Sequence, residues 1–412
     1  MQYVDRVTRC RIRAEVEHRR QRARQVVADL LGIDEAAIRP VVRALHALQP
    51  RTHRPGAQRQ PGMGLRHEDD GDQRRDTDES TRDSRASARS PWRHAKVLPD
   101  AAPNPCILLR PRPTLKGALD AARHRSHGNE RRRAGATSLG AGRPVRALVR
   151  NAAKAETLRG LSGVEIVEGD LLRPETLYGP LTGVAKAVLI SSSAPDMVEV
   201  QSSFIEAAKR AGVKHIVKLS GIMPDLDSPF RFARMHGEIE KRLAACGVAF
   251  TNLRAGEFMH AYFRQVPSIV GQGAIFLPMA DAKIASIDVG DIAEMAIAVL
   301  LGSGHEGQTY PLTGPEALSM AEVAERLSAA TGKAIRYVDV PPDKAREAQL
   351  ARGVPPFLAD ALAELFAERR KGKESNVSPV IREKFGLEPT SFAEFARRNA
   401  AIFRGEQPAP RV

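Results

Sequence analysis

The sequence predicts an α/β fold built on a doubly wound parallel sheet, and three observations carry the prediction. Between Val213 and Met259 an apolar run, His215-Ile-Val-Lys-Leu-Ser220, is followed by a helical stretch and a second apolar run, Val248 to Leu253. Strand, helix and strand at this spacing form a βαβ unit, which requires parallel pairing and a right-handed crossover. Short apolar runs recur upstream at 143–149, 164–170 and 185–190, the alternation expected of repeated β and α elements. Gly212 and Gly247 each stand where a helix must stop before the next strand.

Composition divides the chain. Residues 1–140 hold 27 Arg and 2 Lys against 17 acidic residues, a net of +12, whereas residues 141–412 hold 34 basic and 32 acidic residues. No Phe precedes Phe204, so the first third lacks the large side chains that fill a core. Val26–Leu31 and Ile38–Leu48 have some helical periodicity, but 49–105 is Arg, Pro, Asp, Ser and Gly without apolar pattern, the composition of disorder. A nucleic-acid-binding arm is disfavoured, because HEDDGDQRRDTDES interrupts the basic residues and no aromatics interleave for stacking. Cys10, Cys106 and Cys246 form no CxxC pair, which suits a reducing cytoplasm. No run is long enough for a membrane helix, and no signal-peptide pattern opens the chain. Metal-ligand spacing, a Ser-His-Asp set and a P-loop are missing from 141–412. The expected organisation is a basic, low-order segment at 1–117, an α/β domain at 118–405 and a tail at 406–412.

In order, Arg143–Val149 is the second strand, ending in Arg150 with Lys154 one turn on. Arg at this strand end accommodates a 2′-phosphate where an acidic residue would bind a ribose hydroxyl, so NADPH is expected over NADH. The plainer reading is two solvated charges at a helix start. Val164–Asp170 is the third strand, and Asp170 either contacts a cofactor or N-caps the RPETL segment that follows. Ala185–Ile190 leads into Ser191, Ser192 and Ser193, small hydroxyl residues suited to a cofactor crossing the strand ends. Gln201–Gly212 is a helix with Phe204, Ile205 and Ala208 on its inner face. In the next helix Ser228 is the expected N-cap and Pro229 the first helical residue. His236 and Glu240 share a face there, either as an exposed i,i+4 pair or as part of a site. Ser319 with Glu322 is a capping box, Tyr337–Pro341 a late strand, and 342–404 largely helical.

RxHxxxE over 234–240, then Gly247 and LRxGxFM over 253–259, resemble the NmrA-like branch of the atypical short-chain dehydrogenases, which are Rossmann proteins that bind NAD(P). The resemblance spans roughly 118–405. It implies a Rossmann-type sheet with a smaller carboxy-terminal substrate-side region, where Tyr262-Phe263 and Phe276-Leu-Pro278 match loops that line a substrate pocket. Catalytic members of the wider superfamily carry Tyr-x-x-x-Lys on the helix after the fifth strand. Aligned on Glu240, those positions are Phe232 and His236, and a phenyl ring donates no proton. Ser220 and His236 are then expected to border the nicotinamide, with no confident catalytic residue. The Gly-Asp-Leu ending at Asp170 and Leu171 resembles the family's adenine-contacting turn. Two functions follow from the resemblance: NADPH-dependent reduction of a quinone, azo or similar electrophilic small-molecule acceptor, or a non-catalytic NAD(P)-binding redox sensor. The sequence does not indicate an oligomeric state.

The glycine loop that such a site requires is absent from the written sequence. Ala121–Gly135 reads AARHRSHGNERRRAG, placing Arg125, Gly128 and Arg131 where glycines let a backbone approach a pyrophosphate. Gly128 is the one loop position compatible with cofactor binding. With suitable synonymous codons, the same nucleotides read one base later encode Leu-Leu-Val-Thr-Gly-Ala-Thr-Gly-Thr-Asn-Gly, a strand followed by GATGxxG. Excess Arg over Lys, with Pro, Ala, His and Gly, is also what a GC-rich gene yields out of frame. A frame error is therefore the favoured account of the first third.

Overall fold

The computed structural model describes residues 106–109, 145–155 and 164–409. Its main sheet has seven strands: β1 (Cys106–Leu109), β2 (Val145–Val149), β3 (Val164–Glu168), β4 (Lys186–Leu189), β5 (His215–Gly221), β6 (Ala249–Ala255) and β8 (Gln308–Leu312), in the order β3-β2-β1-β4-β5-β6-β8. Strand β7 (Ala274–Leu277) pairs in parallel with β9 (Arg336–Asp339) as a separate two-stranded sheet. Apart from β1, every pairing in the main sheet is parallel.

Successive strand residues serve opposite faces, as the pleat requires. Leu148, Leu189 and Ile216 pack under α1 (Met197–Arg210) and α2 (Arg231–Ala245), against Phe204, Ile205, Ile239 and Leu243. Their neighbours Val149, Val188 and Val217 pack on the other face against α3 (Val289–Leu301), through Ile292, Met295 and Val299. Phe204 has no exposed surface, a burial that contributes about 2–3 kcal/mol. Beyond the carboxyl ends of the strands a third cluster joins Tyr262, Phe263 and Ile275 to α4 (Met320–Thr331) and α6 (Phe392–Arg398), forming the smaller carboxy-terminal region. Between them α5 (Pro356–Arg369) docks on the start of α2, where Arg231 forms a forked pair with Glu364 (2.6 Å) and lies over the Phe357 ring. No helix among the described residues is long and apolar enough to cross a membrane.

Several elements differ from the sequence expectation. Strand β1 arises from within 1–117, the segment expected to stay outside the domain, as a four-residue apolar run between Pro105 and Pro111. It fills the slot between β2 and β4 but runs antiparallel to both, pairing Cys106 with Leu148 and Leu109 with Lys186. Helix α2 begins at Arg231, not Pro229: Phe230 is its N-cap, and the Ser228 hydroxyl instead accepts from the Phe230 amide. Helix α1 starts four residues before Gln201, because Met197 and Val200 extend its buried stripe. The Ser319–Glu322 capping box is present as read. The glycine-loop positions Arg125, Gly128 and Arg131, and the low-order reading of 1–105, lie outside the described residues.

Candidate functional site

In a doubly wound sheet a ligand lies outside the carboxyl ends of the strands, at the point where strand order reverses. Here that point falls between β1 and β4. The residues leaving β2, β3, β4, β5 and β6 therefore frame the candidate site.

On the β2 side, Arg150 is exposed and makes no ion pair with a described residue. The Asn151 side chain accepts from the Ala153 amide (2.8 Å) and Glu168 from the Ala152 amide (2.7 Å), which fixes the turn Ala152–Lys154 immediately after it. Lys154 ends that turn; its side chain lies outside the described residues. After β3, the Asp170 carboxylate accepts from the Leu172 amide (3.1 Å), closing its own turn. Arg173, not Asp170, caps the short helix that follows, because the chain turns once more before Pro174. The Leu171 side chain is buried in the core, leaving its backbone as the part that can face a ligand.

At the exit of β4, the Ser191 hydroxyl accepts from Gln201 Nε2 (2.8 Å), and Ser192 beside it is half-buried. Gln201 comes from the first turn and a half of α1 and is itself buried, yet its Oε1 has no donor among the described residues. A buried amide oxygen without a donor costs about 1–3 kcal/mol, so this loop suits a ligand that brings a hydroxyl or amide.

The β5–α2 corner holds the densest polar cluster. The Ser220 hydroxyl donates to Glu240 Oε1 (2.6 Å), and Arg254 of β6 grips the same carboxylate (2.6 and 3.2 Å). Ser220 and Glu240 are both buried, so Glu240 is not half of an exposed i,i+4 pair with His236, and the Ser220 proton is engaged with α2. One turn back along α2, His236 Nδ1 lies 3.0 Å from Nζ of Lys218, whose side chain is fully buried. The other Nζ partner is the Leu219 carbonyl (3.3 Å). Burial pushes Lys218 down to about 7, with Glu240 pulling upward and Arg254 pushing further down. Burial, then Lys218, holds the His236 imidazole well below its ordinary value, hence neutral at pH 7. The ring lies over the last residue of β5: a Cβ on Gly221 would sit 3.0 Å from His236 Cδ2, so glycine admits it there. Phe232 lies elsewhere, buried edge-on between Phe230 and Phe357 (centroids 5.8 and 5.9 Å). The position of the absent phenol thus belongs to the α2–α5 packing.

After β6, Glu257 and Glu374 clamp the buried Arg369 guanidinium of α5, the Glu374 contact measuring 3.0 Å. This clamp ties the carboxy-terminal region to the strand ends. Tyr262 and Phe263, expected along a pocket, are core residues instead. Sequence reasoning also missed Lys218 and Arg254. The available signal for Lys218 was a charge inside an apolar strand, in step with Ile216 and Ser220. A surface cavity of about 570 Å³ lies along the outer face of α1 beside Arg242 of α2, and among the described residues its lining holds none from a strand, so it is separate from this site.

Two groups available to the ends of a dinucleotide are the exposed Arg150 guanidinium, without an ion pair among the described residues, and the neutral His236 imidazole over Gly221. Strand β1 runs antiparallel to β2 and β4, which places Leu109 beside the first residues of both strands.

The NmrA-like family matches residues 133–396. An NAD(P)H azoreductase of Xenophilus azovorans is 40% identical over 260 residues, covering 63% of this chain and 91% of that protein. Among solved structures, an NADPH-dependent quinone oxidoreductase of Escherichia coli complexed with NADPH is similar at 34% identity and a TM-score of 0.57, covering 61% of this chain and 88% of that one. A triphenylmethane reductase of Citrobacter sp. complexed with NADP(H) is similar at 27% identity and a TM-score of 0.55, covering 62% and 90%.

Proposed function

Because the chain belongs to the NmrA-like family, we propose that it is an NADPH-dependent oxidoreductase acting on an electrophilic small molecule, a quinone or an azo compound. The observation that carries this reading is the β5–α2 corner, where the superfamily's phenol position is a buried phenyl ring and the group over the end of β5 is a neutral imidazole. A simple ketone needs a strong proton donor as hydride arrives; quinone and azo acceptors delocalise the incoming charge and need less. The quinone, azo and triphenylmethane chemistry in the relatives' names supports the same class. When bound, NADPH supplies the hydride. This chain's residues orient it: Arg150 and Lys154 toward the 2′-phosphate, the backbone of Asp170 and Leu171 toward the adenine, Ser191 and Ser192 along the centre, Ser220 and His236 at the nicotinamide. The three scattered cysteines support a cytoplasmic setting, and the near-neutral charge of 141–412 argues against a nucleic-acid partner.

The same reading takes 118–405 as the cofactor-binding unit and the codons around Ala121–Gly135 as out of frame, so that the written chain holds NADPH weakly. The test is NADPH consumption at saturating cofactor across quinone, azo and triphenylmethane acceptors. Turnover with at least one class supports the reductase. A rate near zero with tight NADP binding would instead identify a non-catalytic redox sensor.

A further inference from the structure

We propose that Lys218 and His236 form a two-residue proton relay, in which His236 Nε2–H is the donor to the reduced acceptor and Lys218 is the positioning residue that restores the imidazole. The proposal rests on the reductase reading above.

Three observations carry it. Among the described residues Lys218 Nζ has no carboxylate within hydrogen-bond reach; its partners are the neutral Nδ1 of His236 and the Leu219 carbonyl. An ammonium donating to Nδ1 forces the tautomer with the proton on Nε2. Nε2 makes no hydrogen bond with any described residue; His236 is half-buried, and its ring lies over Gly221, the last residue of β5. The charged and titratable groups around the pair are Glu240 of α2 and Arg254 of β6, and these are already committed to each other. Solvation by protein alone leaves the lysine poised to lose its proton near neutrality, a property that an ordinary surface lysine lacks.

The balance closes without a further reagent. When bound, NADPH would supply a hydride, which leaves the acceptor as an anion. The anion takes the Nε2 proton while Nδ1 takes a proton from the Lys218 ammonium, leaving a neutral amine and the opposite imidazole tautomer. One proton from solvent resets the pair. The net reaction is acceptor plus NADPH plus one proton giving the two-hydrogen product and NADP⁺. The relay matters most where the product anion is basic, as for an azo nitrogen, and least for a quinone, whose product anion is stabilised.

The experiment has two arms on the full chain. In the first, lysine labelled with ¹³C at Cε is titrated by NMR without cofactor, with Lys218→Met identifying the resonance and ¹⁵N shifts reporting the His236 tautomer. The expected result is one lysine titrating near 7, with the imidazole proton moving from Nε2 to Nδ1 across the same transition. A Lys218 titration in the ordinary range near 10 overturns the relay. In the second arm, kcat is measured against pH at saturating NADPH. Lys218→Met is expected to lower azo turnover about tenfold or more, to remove the basic limb near pH 7, and to change quinone turnover little. An unchanged azo pH profile overturns the relay, as does an equal loss on both acceptors. If the variant fails to fold, His236→Gln, which keeps an amide donor but cannot relay, is held to the same outcomes. No turnover with any acceptor defeats the reductase reading, and the NMR arm then still decides whether the linked pair exists.

Discussion

The two flanks of the crevice are built on different terms. At the β5–α2 corner, strand β5 is seven residues long, its core positions are sealed on both faces, and Ser220, Glu240 and Arg254 satisfy one another inside the protein. At the β1 slot a four-residue strand runs antiparallel to both neighbours. One flank is specified by a continuous stretch of sequence whose strand, helix and strand all agree. The other is filled by a short apolar run that satisfies a vacant row of amides and carbonyls between β2 and β4, a row that cannot stay unpaired in the middle of a sheet. The contrast teaches that a sheet slot demands backbone hydrogen bonds, whereas a cofactor site demands a direction.

The largest expected effect is in hydrogen exchange. Amides of β5 should open only with the whole domain, and those of β1 should open locally, several kcal/mol more easily. Equal protection would break the comparison. Next, Glu240→Ala removes the shared partner of Ser220 and Arg254. The cost should be about 3 kcal/mol, toward the low end for a buried pair because Arg254 is partly exposed. Thermal or urea unfolding measures it, and a loss below about 1 kcal/mol would mean the corner is an ordinary surface pair.

A smaller effect is expected at the β2 end. Arg150→Asp should weaken NADPH binding about tenfold more than NADH binding, since a carboxylate there repels a 2′-phosphate; equal losses would remove Arg150 from the cofactor. The smallest is a pH effect. Lys218 titrates near 7 in the fold and about 10.4 unfolded. Between those values the unfolded chain holds more protons, so this group makes stability rise with pH, by at most ~1.4 kcal/mol per unit. Lys218→Met should flatten that slope between pH 7 and 9. An unchanged slope would place the lysine in contact with water.

Much of this was legible in the sequence where local signals agree. The Val213–Met259 unit, the Ser319 capping box and the glycine stop at 247 each rest on residues a few positions apart. The N-cap at Ser228 was misplaced because Ser228 turns back to bond the Phe230 amide, a local alternative that the residue type permits equally. Lys218 was missed because a lysine in a strand is ordinarily exposed, and its burial depends on α2 covering it. The Glu257–Arg369–Glu374 clamp joins residues 112 apart in part, beyond any periodicity. Strand β1 was missed because four apolar residues carry no period.

The account turns on the glycine loop, and one measurement addresses it directly: NADPH affinity, by fluorescence titration, of the written chain beside a chain with the reading frame restored across codons 121–135. The written chain should bind weakly, because Arg125 and Arg131 stand at the sequence positions where the loop needs glycine. The restored chain should bind at least a hundredfold more tightly, about 2.7 kcal/mol. Equal affinity of the two chains, or a shifted frame that encodes no GATGxxG, would contradict it.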